Sequence, residues 1–331
     1  MSRGALVVGV ERYEHIGPNL PGCVRDANRI RDLLARNADA EETKNFDVLV
    51  QKARDGRTAE GVRKADLKEN IKTLFAGQHE VALFYYSGHG NVEATGGYLL
   101  TTDSSAGDDG LAFQDILTIA KDSKARQKVI ILDCCYSGEA GKAPGEDLVQ
   151  LRQGMTILTA STDKQTASML AKGEGSVFTD LLADALGGSA ANLLGDVTLG
   201  SVYAHIDQSL GAFDQRPVFK TWVQEFVSLR KVRPPIESSE LRQIVELFPK
   251  PTFVFPLDPS FEERDEGRTR QMPRPDAENV KNFKVLQTYN RVNLLVPKDA
   301  PHMWHAAMES KSCQLTTLGR HYWRLVKENR I

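Results

Sequence analysis

Short uninterrupted runs of Val, Ile and Leu, each trailed by residues of helical period, recur through the first 230 residues and constrain the fold more than any other feature. "ALVVGV" (5–10), "FDVLV" (46–50), "VALFYY" (81–86), "KVIILD" (128–133) and "MTILTA" (155–160) read as strands. Between and after them, 23–37, 61–76, 111–121, 176–187 and 199–210 carry apolar positions at helical spacing. A strand apolar at successive positions has to be covered on both faces, whereas a sheet with one wet face alternates polar and apolar. Interleaved helices supply the long crossovers that parallel pairing needs. The expected fold class is therefore α/β, a mostly parallel sheet sandwiched between helices.

In such sheets the working groups collect just beyond the carboxyl ends of the strands. "VALFYYSGHG" (81–90) delivers His89 three residues past Tyr86, and "VIILDCCYSG" (129–138) delivers Cys135 two residues past Asp133. Both are expected on one edge. A cysteine attacks as its thiolate, and an ordinary thiol pKa of about 8.5 leaves little of it at neutral pH. A neighbouring imidazole takes that proton and later returns it to a leaving amine. Gly88 and Gly90 leave room beside the ring, and Gly138 lets a substrate carbonyl approach backbone N–H groups. The oxyanion donors expected are the N–H groups of Gly90 and Cys135.

These motifs resemble those of the caspase-like cysteine peptidases, and within them the metacaspase-like branch of the caspase/peptidase C14 family, in its prokaryotic form. "YYSGHG" is similar to the histidine motif and "DCCYSG" to the D-x-C-x-S-G cysteine motif, which selects Cys135 rather than Cys134 as nucleophile. The 46 residues from His89 to Cys135 suit the separation of about 50 known for caspases. The local signature departs from the caspase one, "CYSG" standing where those enzymes carry Q-A-C-[RQG]-G. The resemblance spans about residues 3 to 228.

It implies a caspase-like fold and a protein substrate. It also implies an S1 pocket built from the Cys and Asp of a "GCxxDA" helix start, the Ser of "SGHG" and the Asp two before the nucleophile. Here these fall on Cys23, Asp26, Ser87 and Asp133. Two carboxylates at a pocket floor select a cation, so Arg or Lys is expected before the scissile bond, with Arg favoured by bidentate pairing. Some metacaspase-like enzymes need calcium. Asp103, Asp108 and Asp109 cluster here, but D-x4-D-D matches no EF-hand, and no cofactor or metal is expected. The stretch 139–154 after the nucleophile reads as a surface loop, or as a groove border open to self-processing.

Ten of the 14 prolines follow residue 230, and "RPP" (233–235) marks a boundary. The expected division is a peptidase domain over 1–232, a proline-rich linker or extended segment over 233–278, and a small, mainly helical accessory domain over 279–331. "LTTLGRHYWRLVKENRI" (315–331) after a helix and a short link resembles a winged-helix segment. Residues 291–331 hold seven Lys/Arg against three Asp/Glu, a surplus of four. Two readings stand: a phosphate-facing surface, or a docking module for a regulator or activating protease that uses Trp304, Tyr322 and Trp323 or buries them.

A net charge of −2 argues against nucleic-acid affinity of the whole chain. No apolar run reaches the roughly 20 residues of a membrane helix. Four cysteines, two of them adjacent, form neither a disulfide framework nor a CxxC zinc pattern. The expectation is a cytoplasmic enzyme whose relatives act in prokaryotic defence and cell death. The alternative is a caspase-like scaffold or DNA-binding regulator without catalysis.

Overall fold

The computed structural model describes residues 2–53, 61–134, 151–160, 175–212, 216–223 and 225–331. The chain divides into two compact units, Met1–Arg233 and Pro234–Ile331.

In the first unit, β1 (Ser2–Val10), α1 (Cys23–Ala35), β2 (Asp47–Ala53), α2 (Lys64–Ala76) and β3 (His79–Ser87) follow in order. Next come β4 (Gly90–Glu93), β5 (Gly96–Leu99), β6 (Leu111–Ala112), α3 (Phe113–Lys121), β7 (Gln127–Asp133) and β8 (Met155–Thr159). Then α4 (Val177–Asp184), β9 (Asp196–Thr198), α5 (Leu199–Ser209), β10 (Val218–Trp222) and β11 (Ser228–Lys231) complete it.

Six strands form the central sheet in the order β10-β8-β7-β3-β1-β2, parallel except for β10, which runs antiparallel to β8. Successive side chains of a strand point to opposite faces, and both faces are apolar here. Leu6, Val8, Phe84, Tyr86, Ile130 and Leu132 face one layer, with Leu67, Ile71 and Phe75 of α2 and Ile116 and Leu117 of α3. Val7, Leu83, Tyr85, Val129 and Ile131 face the other, with Ile30 and Leu34 of α1, Leu182 of α4 and Val202 of α5.

The chain winds outward from β1 to β2, then returns to place β3 on the other side of β1. That reversal is a topological switch point, which opens a crevice at the carboxyl ends of the strands. The start of α1 comes close to it. The Glu11 carboxylate accepts from the N–H groups of Gly22 and Val24 at 3.1 and 3.0 Å, and a Cβ on Gly9 would stand 2.5 Å from the Cys23 carbonyl oxygen. The helix entrance is thereby pressed against the end of β1. Periodicity gives no element between 87 and 110, where the chain forms the β4-β5-β6 ribbon; strands of two to four residues with repeated glycines leave no periodic signal.

The second unit carries α6 (Ser238–Arg242), α7 (Ile244–Leu247), β12 (Val254–Pro256) and α8 (Ala277–Arg291). It ends with β13 (Leu295–Lys298), α9 (Met303–Met308), β14 (Ser312–Leu315) and α10 (Thr317–Lys327), and its antiparallel sheet has the order β12-β14-β13. Part of the segment expected as a linker, 233–278, belongs to this core. Leu241, Ile244 and Phe248 are buried, and Phe248, Phe255, Phe261 and Phe283 form a chain of ring contacts. Proline marks where helices stop, but it says nothing against burial of the residues between. Trp304, Tyr322 and Trp323 are half-buried, and the Trp323 indole donates to the Phe248 carbonyl at 2.6 Å.

Candidate active site

Strand β3 ends at Ser87, in register with Asp133 at the end of β7. The next described residues, Gly88 and His89 on one side and Cys134 on the other, therefore leave the sheet from neighbouring strands. Gly88 donates its N–H to the Asp133 carbonyl at 3.3 Å. Its lack of a side chain has a local cause: a Cβ there would stand 2.6 Å from the Tyr86 hydroxyl and 2.8 Å from that of Tyr13.

His89 is held from several sides. Its N–H donates to the Tyr13 hydroxyl at 2.6 Å, and its carbonyl accepts from Leu100 N–H at 3.0 Å, while the Tyr86 hydroxyl nearby donates to the Leu100 carbonyl at 2.6 Å. The Tyr13 ring packs against the imidazole with centroids 4.7 Å apart. Imidazole Nε2 lies 2.9 Å from the Pro18 carbonyl oxygen. A carbonyl only accepts, so this contact assigns the proton to Nε2 and leaves the lone pair of the neutral ring on Nδ1. The ring can then take a proton at Nδ1, and the resulting imidazolium keeps its Pro18 bond. Neither Tyr13 nor Pro18 belongs to a recognised motif, and no side-chain pattern could have found Pro18, because its contribution is a backbone oxygen.

Cys134 is buried in the core layer that faces α2 and α3. Cys135, the expected nucleophile and oxyanion donor, lies outside the described residues, as do Gly138 and most of 139–154. Gly90, the other oxyanion donor expected, opens β4 opposite Leu99.

The four expected S1 residues come together. Cys23 opens α1, and Asp26 sits one turn into the helix within electrostatic reach of Asp133. All four are buried, Asp26 and Asp133 being only 2% and 4% exposed. Burial, reinforced by the Asp133 charge and opposed by the Ser176 N–H, pushes the Asp26 carboxyl up to about 7. Burial pushes Asp133 up to about 6 despite hydroxyls donated by Thr179 and Ser176. Burial also raises the Cys23 thiol well above its ordinary value, so this sulfur stays protonated.

Among the described residues no lysine or arginine forms an ion pair with either carboxylate. Arg29 pairs with Asp180 instead, and the charge of the exposed Arg25 is the smallest of the influences on the Asp26 carboxyl. A buried carboxylate pair without a cation is costly. Ser176 bridges the two acids and was invisible to motif reading, since a serine before a helix reads as an ordinary cap.

Two of the three acids weighed for calcium have local partners. Asp103 accepts from Lys64 N–H and the Thr101 hydroxyl, and Asp109 from Ser105 N–H and hydroxyl. Among the described residues no helix is long and apolar enough to cross a membrane.

A family model for the caspase domain matches residues 2–243. A crystal structure of caspase-1 from Spodoptera frugiperda aligns at 15% identity and a TM-score of 0.49, covering 70% of this chain and 91% of its own. A crystal structure of a protein from Geobacter sulfurreducens aligns at 18% identity and a TM-score of 0.50, covering 70% of this chain and 98% of its own. No curated protein matches the chain.

Proposed function

Because this chain belongs to the caspase family, a family of cysteine peptidases, we propose that it is an endopeptidase that cleaves proteins after Arg or Lys, using Cys135 and His89. The observation that carries the substrate class is the buried pair Asp26 and Asp133, unpaired with any cation among the described residues, on the same sheet edge as His89. A guanidinium or ammonium entering there supplies the missing positive charge and draws both acids into their ionised forms.

The chemistry follows from the imidazole tautomer. His89 Nδ1 takes the proton of the Cys135 thiol as sulfur attacks the scissile carbonyl carbon. The tetrahedral oxyanion collects its charge on backbone N–H groups, for which Gly90 and Cys135 are the candidates. Collapse expels the amine, which takes the proton from Nδ1. A water molecule, deprotonated by the same nitrogen, then attacks the thioester carbon; collapse breaks the C–S bond, releases the acid product, and returns the Nδ1 proton to the departing sulfur. Through these steps Nε2 stays on the Pro18 carbonyl, so the ring need not turn.

Peptides ending in Arg, Lys or Asp before a fluorogenic amide test this reading. Turnover of the Arg and Lys peptides, absent in Cys135→Ala and His89→Ala, is expected; preference for the Asp peptide ends the reading of the pocket. Unchanged biological output from Cys135→Ala would favour a scaffold.

For the second unit we propose a winged-helix-like accessory role, docking a regulator or an activating protease. The sheet order β12-β14-β13 beside α8 supports the topology. A cytoplasmic setting in prokaryotic defence is the context that the family resemblance implies. Salt-sensitive binding of the chain to duplex DNA would favour the nucleic-acid reading instead.

A further inference from the structure

The amino end of α4 meets the carboxylate pair in a way that no motif announces. Ser176 precedes this helix, in the position where serine ordinarily caps the first turn with its own hydroxyl. Here it makes no such cap. Its hydroxyl donates instead to Asp133 Oδ1 at 2.8 Å, while its N–H donates to Asp26 Oδ2 at 3.0 Å. One residue thus ties the two acids together.

Three positions on, Thr179 donates its hydroxyl to Asp133 Oδ2 at 2.6 Å. That hydroxyl has a single hydrogen, so the Tyr85 hydroxyl, 2.6 Å from Thr179 Oγ1, is the donor in their contact. The result is a directed chain, Tyr85 to Thr179 to Asp133, with all three side chains buried and each bond polarising the next. Gly175 closes the other side. It has φ +100, and a Cβ there would stand 2.4 Å from Asp26 Oδ1.

One donor on each oxygen of Asp133 fixes the plane of its carboxylate. A fixed plane matters to one kind of cation only. A guanidinium pairs with a carboxylate through two parallel N–H bonds in a shared plane, whereas an ammonium is a rotating point charge indifferent to it. We propose that Ser176 and Thr179 are specificity-determining positioning residues that make the pocket select arginine over lysine. This inference rests on the proposed cleavage after basic residues and deepens it. Neither hydroxyl is a catalytic group, since each acts through Asp133.

The test compares kcat/KM for matched Arg and Lys peptides in the wild type, Thr179→Val, Thr179→Ser and Ser176→Ala. Thr179→Val keeps the shape and loses the donor; Thr179→Ser restores the donor. Ser176→Ala removes only the hydroxyl and leaves the N–H on Asp26. The wild type is expected to prefer Arg. Thr179→Val and Ser176→Ala should each lower the Arg-to-Lys ratio about ten-fold, the scale of one charge-assisted hydrogen bond, and Thr179→Ser should keep it. Equal losses on both peptides, with the ratio unchanged, would overturn this inference and leave the basic-residue reading standing. A wild type that turns over neither peptide would overturn that reading itself.

Discussion

Tyr13 holds His89 at two points, a hydroxyl on its N–H and a ring against its imidazole. Tyr13→Phe keeps the ring and strands a half-buried N–H, at a cost of about 1–3 kcal/mol. We expect kcat to fall about ten-fold with KM little changed, read from steady-state kinetics on an Arg peptide. Pro18→Ala should retain activity, because the atom that orients the imidazole is a backbone oxygen present in any residue. Gly88→Ala should unfold the chain more easily, by about 1–3 kcal/mol, because the added Cβ meets two hydroxyls held in place by their own bonds; thermal melting checks it. His89 was legible because "SGHG" is a side-chain signature at a strand end. Tyr13 and Pro18 were not, because one acts through a hydroxyl on a backbone amide and the other through a carbonyl. Gly88 was expected to leave room beside the imidazole, but what stands nearest a Cβ there is the pair of hydroxyls of Tyr86 and Tyr13.

Three elements meet at the carboxylates: α1 brings Asp26, β7 brings Asp133 and α4 brings Ser176 and Thr179. The strands and first helix were readable from apolar runs and the "GCVRDA" start, so the four residues proposed for S1 could be named before their packing was known. The role of α4 was not, since its contribution is a tertiary contact some 43 to 150 residues distant along the chain. The electrostatics of the meeting set a pH dependence. In the unfolded chain both acids titrate near about 3.9. In the fold they keep their protons to about 7 for Asp26 and about 6 for Asp133. The fold therefore binds more protons than the unfolded chain across that interval. The stability contributed by the pair is full below both unfolded values and declines as pH climbs through 6 and 7. Asp133→Asn should flatten that decline in denaturant melts taken across the interval. Agmatine, a small guanidinium ligand, demands the ionised acids, so its affinity by calorimetry should rise over the same window in the wild type. In Asp133→Asn the rise should shrink, whereas a wild-type affinity flat in pH would speak against the pocket.

At the scale of the molecule the two units, Met1–Arg233 and Pro234–Ile331, each have their own buried core. The family match runs to residue 243, beyond the division. A boundary was legible from the proline shift, but its consequence was not. Leu241, Ile244 and Phe248 lie in the stretch that composition suggests is extended, and burial of that stripe makes it part of the second unit. A fragment of residues 1–233 should melt cooperatively and keep its activity on Arg peptides, and 234–331 should show a separate transition by calorimetry. Loss of cooperativity in the first fragment would mean that its core is not self-contained. The central claim is that sulfur 135 serves a pocket built for a basic side chain. Its most direct measurement is intact and tandem mass spectrometry after treatment with peptidyl fluoromethyl ketones ending in Arg or Asp. The account predicts one adduct per chain, on Cys135, formed faster with the Arg reagent and abolished in His89→Ala. Labelling of another cysteine, or faster reaction with the Asp reagent, would contradict it.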